Sequence, residues 1–227
     1  MSIRFLVVRT SALMTNQSEM IRVRHVGIDL TASDLDYAEW DNAHPVPIER
    51  YWSGEAAPTN RHAEARLLWS SNALHIRFIC KQSEPLIVSN SPQFSKKTMN
   101  LWDRDVCEIF IAPDPNVVER YFEFEAAPSG EWLDVAIEIR PDRRESDWEF
   151  HSGMSAAARI EKDRITIATR IPWNHWIHEP QKGERWRANL FRCVGSGAAR
   201  GYLAWQPTRM PQPNFHVPQA FGWLFFT

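Results

Sequence analysis

From residue 65 onward the chain reads as a series of short segments in which apolar and polar side chains alternate. Turn-forming pairs, such as Ser71-Asn72, Ser129-Gly130 and Lys162-Asp163, separate several of these segments. Alternation with a period of two places every second side chain on the same face of a β-strand. Since roughly ten such segments follow one another with almost no helical periodicity, the sequence predicts an all-β fold, an antiparallel β-sandwich. A barrel is the alternative.

The length and composition are compatible with one domain. The chain has 227 residues, of which 44% are hydrophobic and 24% are charged. A chain of this size can bury a full core, and all-β single domains often reach this length. We therefore expect a single domain over residues 1–227, in which the weakly patterned residues 1–60 wrap around the sandwich.

The charges and the cysteines restrict the partners and the compartment. The chain has 26 basic and 28 acidic residues, a formal net charge of −2, and scattered basic positions, so nucleic acid is not expected as a partner. No segment is long enough to span a membrane, and no signal peptide is evident. Cys80, Cys107 and Cys193 lie in separate predicted strands, which predicts reduced thiols and a cytoplasmic location. The oligomeric state is left open.

The alternating segments predict which side chains are buried between the two sheets. In residues 132–139, Val135, Ile137 and Ile139 share one face, while Trp132, Asp134 and Glu138 share the other. The apolar face of each segment is expected to be the inner one. The predicted inner core consists of Leu74, Ile76, Phe78, Ile109, Ile111, Phe122, Phe124, Val135, Ile137, Ile165 and Ile167.

A polar turn that contains tryptophan precedes one of these strands. The turn carries Trp102 and Asp105, and in the strand that follows Glu108 shares a face with the apolar Val106 and Phe110. An aromatic ring beside carboxylates is suited to stacking on a sugar and hydrogen-bonding its hydroxyls. The other interpretation is that Trp102 covers the edge of a sheet and that the acids are solvated.

Several segments in order resemble the family 9 carbohydrate-binding modules and their stand-alone relatives of the DOMON-like superfamily. The resemblance covers about residues 61–227. It rests on the segments Leu101-Trp102-Asp103-Arg104-Asp105, Tyr121-Phe122-Glu123-Phe124-Glu125, Ile171-Pro172-Trp173, Trp186-Arg187-Ala188-Asn189, Leu203-Ala204-Trp205-Gln206 and Phe215-His216-Val217-Pro218.

The resemblance implies a jelly-roll-like β-sandwich in which two aromatic rings clamp the terminal sugar of a plant polysaccharide such as cellulose or xylan. Trp102 matches the first aromatic residue of this clamp, and Phe215 stands where well-known members have a second tryptophan. Glu108 matches a nearby carboxylate, whereas Glu125 replaces an arginine and Phe191 replaces an amide. The implied function is non-catalytic carbohydrate binding by the residues Trp102, Phe215, Glu108, Glu125 and Arg192.

Two other functions and one metal are compatible with the sequence. A glycoside hydrolase needs two carboxylates, for which Glu123 and Glu125 are candidates on one strand face. Related sandwiches hold haem between methionine and histidine, for which Met99, Met154, Met210, His151 and His216 are candidates. No cofactor is required, but some members hold structural calcium, for which Asp103, Asp105 and Asp114 are available.

Overall fold

The computed structural model describes residues 20–227, and these residues form a β-sandwich. The described part of the chain contains fourteen strands and the four-residue α-helix Glu39–Asn42. The strands are β1 Met20–His25, β2 Val46–Ile48, β3 Arg50–Tyr51, β4 Ala63–Trp69, β5 Ala73–Lys81, β6 Val106–Ala112, β7 Arg120–Ala126, β8 Trp132–Ile139, β9 Arg144–Asp147, β10 Ser155–Ile160, β11 Arg164–Pro172, β12 Arg185–Val194, β13 Gly201–Ala204 and β14 Gly222–Phe226. The predicted all-β class is therefore confirmed.

The strands are arranged in two sheets. The main sheet has the order β14-β12-β6-β7-β8-β9, and β13 pairs with the second half of β12 and with β3. The second sheet has the order β10-β11-β5-β4, and β2 pairs with β4. Neighbouring strands within each sheet are antiparallel, as the alternating segments predict. The main sheet ends with β9, whose last residue is Asp147.

Strand β1 joins the two sheets and departs from the antiparallel prediction. Its first half, from Met20 to Val23, pairs in parallel with β14, while Arg24 and His25 pair in parallel with β4. One short strand thus closes one side of the sandwich by hydrogen-bonding to an edge of each sheet. Residues 1–19 lie outside the described part, so the expectation that residues 1–60 wrap the sandwich stays a prediction.

Residues 26–43 cover the outer face of the second sheet. Val26, Leu30, Trp40 and Ala43 form a small buried cluster with Leu68 of β4. The Trp40 indole donates a hydrogen bond of 2.8 Å to the carbonyl of Asp34, which satisfies its N–H in this buried position. This segment covers the second sheet, so the outer face of the main sheet is covered by other parts of the chain.

Most of the predicted inner core is confirmed. The buried cluster between the sheets contains Leu74, Ile76, Phe78, Ile109, Ile111, Phe124, Ile165 and Ile167, and Phe122 packs partly buried against it. Trp186 of β12 has no exposed surface and packs with its ring against Phe226 and Trp173. The core between the two sheets therefore consists largely of the side chains that the alternation predicts.

Strand β8 is an exception, because both of its faces are buried. Val135 and Ile137 are buried on the outer face of the main sheet, so their assignment to the inner core is wrong. Asp134 instead points inward, with no exposed surface. Its carboxylate accepts hydrogen bonds of 2.7 Å from the amide and hydroxyl of Ser152 and lies 2.7 Å from the Lys97 ammonium. Pairing of this kind offsets the cost of burying the charge.

The three cysteines are free and buried, as predicted. Cys80 of β5 and Cys107 of β6 approach each other across the core, with their sulfur atoms 3.4 Å apart. Within residues 20–227, no helix has both the length and the hydropathy needed to cross a membrane.

The substitution Ile109→Val should destabilise the protein by about 1 kcal/mol, because it deletes one buried methylene between the sheets. Ile109 is 1% exposed. Urea denaturation measures the change, and the matched control is Ile160→Val, the same deletion at a side chain that is 51% exposed. Equal effects at the two positions would contradict the assignment of Ile109 to the core.

Candidate functional site

A cleft of about 340 Å³ lies on the outer face of the main sheet. Its floor is formed by side chains of β6, β7, β8 and β12, and its walls come from the turn before β6, from β9 and from the loop between β13 and β14. The residues that line it are Trp102, Asp103, Glu108, Phe110, Glu123, Ile137, Arg144, Ser146, Trp148, Cys193, Tyr202, Pro213, Asn214, Phe215 and His216. Much of this lining is aromatic or carboxylic.

The turn that carries Trp102 is fixed by hydrogen bonds to its main chain. Asn100 adopts a left-handed conformation with φ of 59°, and the short 3₁₀ turn Leu101–Asp103 follows it. The Arg200 guanidinium donates to the carbonyls of Trp102 at 2.5 Å and Arg104 at 2.7 Å. The partly buried Trp102 ring lies 5.8 Å from that of Trp148, at an interplanar angle of 35°. The indole is therefore placed on the wall of the cleft before any ligand arrives.

Phe215 lines the cleft from a different part of the chain than Trp102. It belongs to the loop before β14, and its ring stacks on Phe191 of β12 with a centroid distance of 4.0 Å and an interplanar angle of 12°. Only 9% of Phe215 is exposed. Phe215 and Trp102 thus converge on one cleft from distant parts of the sequence, as the resemblance implies. Phe191 supports the Phe215 ring.

Three glutamates lie side by side beneath the cleft, and we call them the carboxyl cluster: Glu108 of β6 with Glu123 and Glu125 of β7. Glu108 is the direct cross-strand partner of Glu125, and Glu123 is the partner of Phe110. They are 2%, 6% and 0% exposed. Glu108 and Glu123 line the cleft, whereas Glu125 lies next to them without reaching it. Of the two predicted polar contacts in this cluster, only Glu108 has access to a ligand.

Burial raises the pKa values of the carboxyl cluster. The pKa of Glu108 rises to about 8, first through burial and then through the charge of Glu123. Burial raises the pKa of Glu123 to about 7 against the opposing effects of Glu125 and Arg144. The pKa of Glu125 is raised well above its usual range by burial, followed by the charges of Glu108 and Glu123. At neutral pH the cluster therefore carries fewer than three negative charges.

His216 lies beside Glu123 and is neutral. Its Nδ1 is 2.8 Å from the Tyr121 hydroxyl, and its Nε2 is 4.0 Å from a Glu123 oxygen. Burial and then the charge of Arg144 lower the pKa of His216 to about 3. The imidazole can exchange hydrogen bonds with a ligand, but it does not neutralise the cluster.

Arg192, which was predicted to be a polar contact, does not line the cleft. Its side chain lies on the face of β12 opposite to Phe191 and Cys193. Only 2% of it is exposed, and it donates to the carbonyl of Arg61 at 2.7 Å and to the Gln82 side chain at 2.6 Å. The guanidinium satisfies buried oxygen atoms at one end of the sandwich. A buried charge needs such partners, and sequence alternation does not reveal them.

The candidate calcium ligands do not converge. Asp105 is buried and accepts a 2.8 Å hydrogen bond from the amide of Gly195, while Asp114 accepts one of 2.9 Å from the amide of Asn116. In the stretch from residue 20 to residue 227, no three His, Cys, Asp or Glu side chains are grouped so that they could hold a metal ion. Structural calcium stays a prediction without a site in that stretch.

Several lining residues were not assigned to the site from the sequence. Trp148 is 36% exposed and follows β9, Arg144 begins β9, and Tyr202 lies on β13. Glu123 was named from the sequence only as a hydrolase carboxylate, on the same strand face as Glu125. For Trp148 and Arg144 the sequence carries no such signal, since β9 itself was missed.

Most of the chain matches the model of one known protein family. The model of the family described as "Carbohydrate family 9 binding domain-like" matches residues 32–227, which is most of the chain. The chain belongs to this family. The resemblance inferred from the segments between residues 61 and 227 is therefore confirmed, and the match extends it to include the helix and β2–β3. No curated protein matches the chain.

Solved structures share the fold of this family 9-like domain at low sequence identity. A protein from Bacteroides uniformis ATCC 8492 assigned to carbohydrate binding is 17% identical, with a TM-score of 0.74 over 92% of this chain and 99% of that one. A family 9 module from Caldicellulosiruptor kristjanssonii, solved with cellotriose and with glucose, is 15% identical with a TM-score of 0.64. These alignments cover 92% of this chain and 93% and 95% of the two module structures. At such identities they establish the fold.

Proposed function

We propose that this family 9-like domain binds carbohydrate without catalysis, and that the cleft on the main sheet holds a terminal sugar between Trp102 and Phe215. The observation that carries the proposal is the convergence of these two aromatic residues on one cleft that also exposes carboxyl groups. Aromatic faces complement the apolar faces of a sugar ring, and carboxyl oxygens accept hydrogen bonds from its hydroxyls. Membership in the family and the sugar complexes of the Caldicellulosiruptor kristjanssonii module support the same function.

The size of the cleft supports recognition of a chain end. A volume of about 340 Å³ is at the lower end of the range for small-molecule sites. It suits one or two sugar rings better than the middle of a long polymer. Phe110 and Ile137 close the floor, so a ligand enters from the open side.

The two alternative functions are not favoured. The predicted hydrolase pair of Glu123 and Glu125 is not available to a substrate, because Glu125 has no exposed surface. As a haem protein, it would need a methionine and a histidine on one pocket. Met154 is buried between the sheets, whereas His216 lies on the cleft side of the main sheet.

If the domain binds chain ends, the amount of protein that an insoluble polysaccharide retains should depend on its number of chain ends. Limited acid hydrolysis of an insoluble cellulose or xylan should raise the retained amount in proportion to the number of new chain ends. Depletion of the protein from solution measures this amount, with Trp102→Ala as the control for non-specific adsorption. Retention that stays constant as ends are created would contradict end recognition. If cellotriose, glucose and xylan fragments all fail to bind in calorimetry, the ligand is not a chain end of cellulose or xylan.

A further inference from the structure

The carboxyl cluster lacks a cationic partner within the protein. Among residues 20–227, neither Glu108 nor Glu125 forms an ion pair, and the neutral His216 is 4.0 Å from Glu123. Both oxygens of Glu125 lack a hydrogen-bond partner. Glu108 accepts a weak hydrogen bond of 3.4 Å from the Cys193 thiol at Oε1, and within residues 20–227 no cationic side chain pairs with its Oε2. A side chain that is 98% buried, lines the cleft and has an unpaired oxygen indicates that the missing partner comes from a ligand.

The charges at the rim do not supply this partner. Asp103 and Arg144 are both exposed and both line the cleft, so their opposite charges offset each other. The ionisable groups that face the cluster are Asp103 from the turn before β6, Tyr121 from β7, Arg144 from β9, Cys193 from β12 and His216 from the last loop. Arg200 acts on Glu108 through its charge alone, since its guanidinium donates to main-chain carbonyls. The inner part of the cleft is thus acidic.

The walls of the cleft are suited to a cation as well as to a sugar ring. Trp102, Trp148 and Phe215 present aromatic rings to the same space. The face of such a ring attracts a cation, by about 0.5–1 kcal/mol at an exposed site and about 2 kcal/mol when water is excluded. Aromatic walls above buried carboxyls form a pocket that complements an organic ammonium group.

We infer that the sugar bound by this cleft is an amino sugar, whose ammonium group pairs with the carboxyl cluster through Glu108 and Glu123. The inference rests on the proposed carbohydrate binding and narrows the class of its ligand. Neutral sugars can occupy the same cleft, but they leave Oε2 of Glu108 without an ionic partner.

The ammonium must displace protons from the cluster. Burial raises the pKa values of Glu108 and Glu123 to about 8 and about 7, so the free cleft is partly protonated at neutral pH. Binding converts the protonated cluster and the ammonium sugar into an ion pair and one released proton. Affinity for the amino sugar should therefore rise as the pH increases from 6 to 7.5, while the affinity for neutral sugars should not rise in this way.

Calorimetry with isosteric sugars tests the inference. Glucosamine and its β-1,4 disaccharide are compared with glucose and cellobiose, which carry a hydroxyl group in place of the ammonium. We expect at least tenfold tighter binding of the amino sugars at pH 7, where the sugar is an ammonium ion, and proton release that appears as a difference in heat between two buffers of unlike ionisation enthalpy. In the double variant Glu108→Gln/Glu123→Gln the ratio of the two affinities should fall to near one.

The control variant Glu179→Gln removes an exposed carboxyl outside the cleft and changes the net charge in the same direction. It should keep the tenfold preference. Circular dichroism establishes that each variant is folded. Binding of glucose and cellobiose without any preference for the amino sugars would overturn this inference and leave the proposed function intact. Failure of all four sugars to bind would instead count against the proposed function.

Discussion

Replacing Trp102 with alanine is expected to weaken sugar binding roughly 70-fold while the protein stays folded. A sugar ring resting on the indole covers on the order of 60 Å² of apolar surface, which is worth about 1.5 kcal/mol. Stacking adds about 1 kcal/mol, and the total corresponds to roughly 70-fold in the dissociation constant. Trp102 is only partly buried and its turn is held by main-chain hydrogen bonds from Arg200, so little of the fold depends on the ring.

Isothermal calorimetry and thermal unfolding together check this result. The matched control is Trp176→Ala, since Trp176 is 54% exposed and lies outside the cleft. The control should bind as the wild type does. A large fall in melting temperature with Trp102→Ala, accompanied by unchanged binding, would show that the ring serves packing against Trp148 and has no role in recognition.

The substitution Glu125→Gln is expected to stabilise the protein, and the gain should increase with pH. The folded state holds the Glu125 proton above the pH at which an unfolded glutamate, with a pKa near 4.3, has lost it. In that window the folded state binds more protons than the unfolded state, so the free energy of unfolding of the wild type falls as the pH rises. Glutamine keeps the shape of the side chain without an ionisable proton, which removes this loss.

The size of the gain follows from the slope of up to about 1.4 kcal/mol per pH unit for one such group. Between pH 5 and pH 7 the difference between the variant and the wild type should therefore grow as the pH rises, by no more than this slope. Urea denaturation at several pH values measures this difference. Subtracting the wild-type curve removes the opposing contribution of His75, whose lowered pKa of about 4 costs stability as the pH falls below about 6.5.

Glu179→Gln is again the matched control, and its difference from the wild type should not grow with pH in this way. If Glu125→Gln destabilised the protein by the same amount at every pH, Glu125 would have to be an ionised side chain with a partner. That outcome would contradict the absence of hydrogen bonds to both of its oxygens.

The alternation of side chains predicted the strands and their two faces well, because the period of two is a local property of an extended backbone. It could not predict which face of β8 is the inner one, since both faces of this strand are buried. Val135 and Ile137 pack in the buried cluster on the outer face of the main sheet. The buried Asp134 pairs with the Lys97 ammonium and accepts a hydrogen bond from the Ser152 hydroxyl. These partners come from segments that are distant in sequence.

The candidate site shows the same division. The residues around Trp102 and Phe215 were identified from the family resemblance, and Glu108 was placed correctly on the outer face of β6 by alternation. The roles of Glu123, Arg144 and Trp148 emerged only when β6, β7 and β9 were brought into one sheet. The position of Arg192 outside the cleft could not be predicted, because its buried hydrogen bonds to residues 61 and 82 depend on the packing of the second sheet against β12.

The sequence by itself determined that this protein is a β-sandwich of the family 9 type, with an aromatic residue before β6 and another before β14. Hydrophobic alternation and turn residues act within a few positions of each other, so a single chain is enough to reveal them. The tertiary structure alone decided that three glutamates meet beneath one cleft without a cation of their own. Burial and pairing are produced by contacts between strands, and these contacts set the charge of the site.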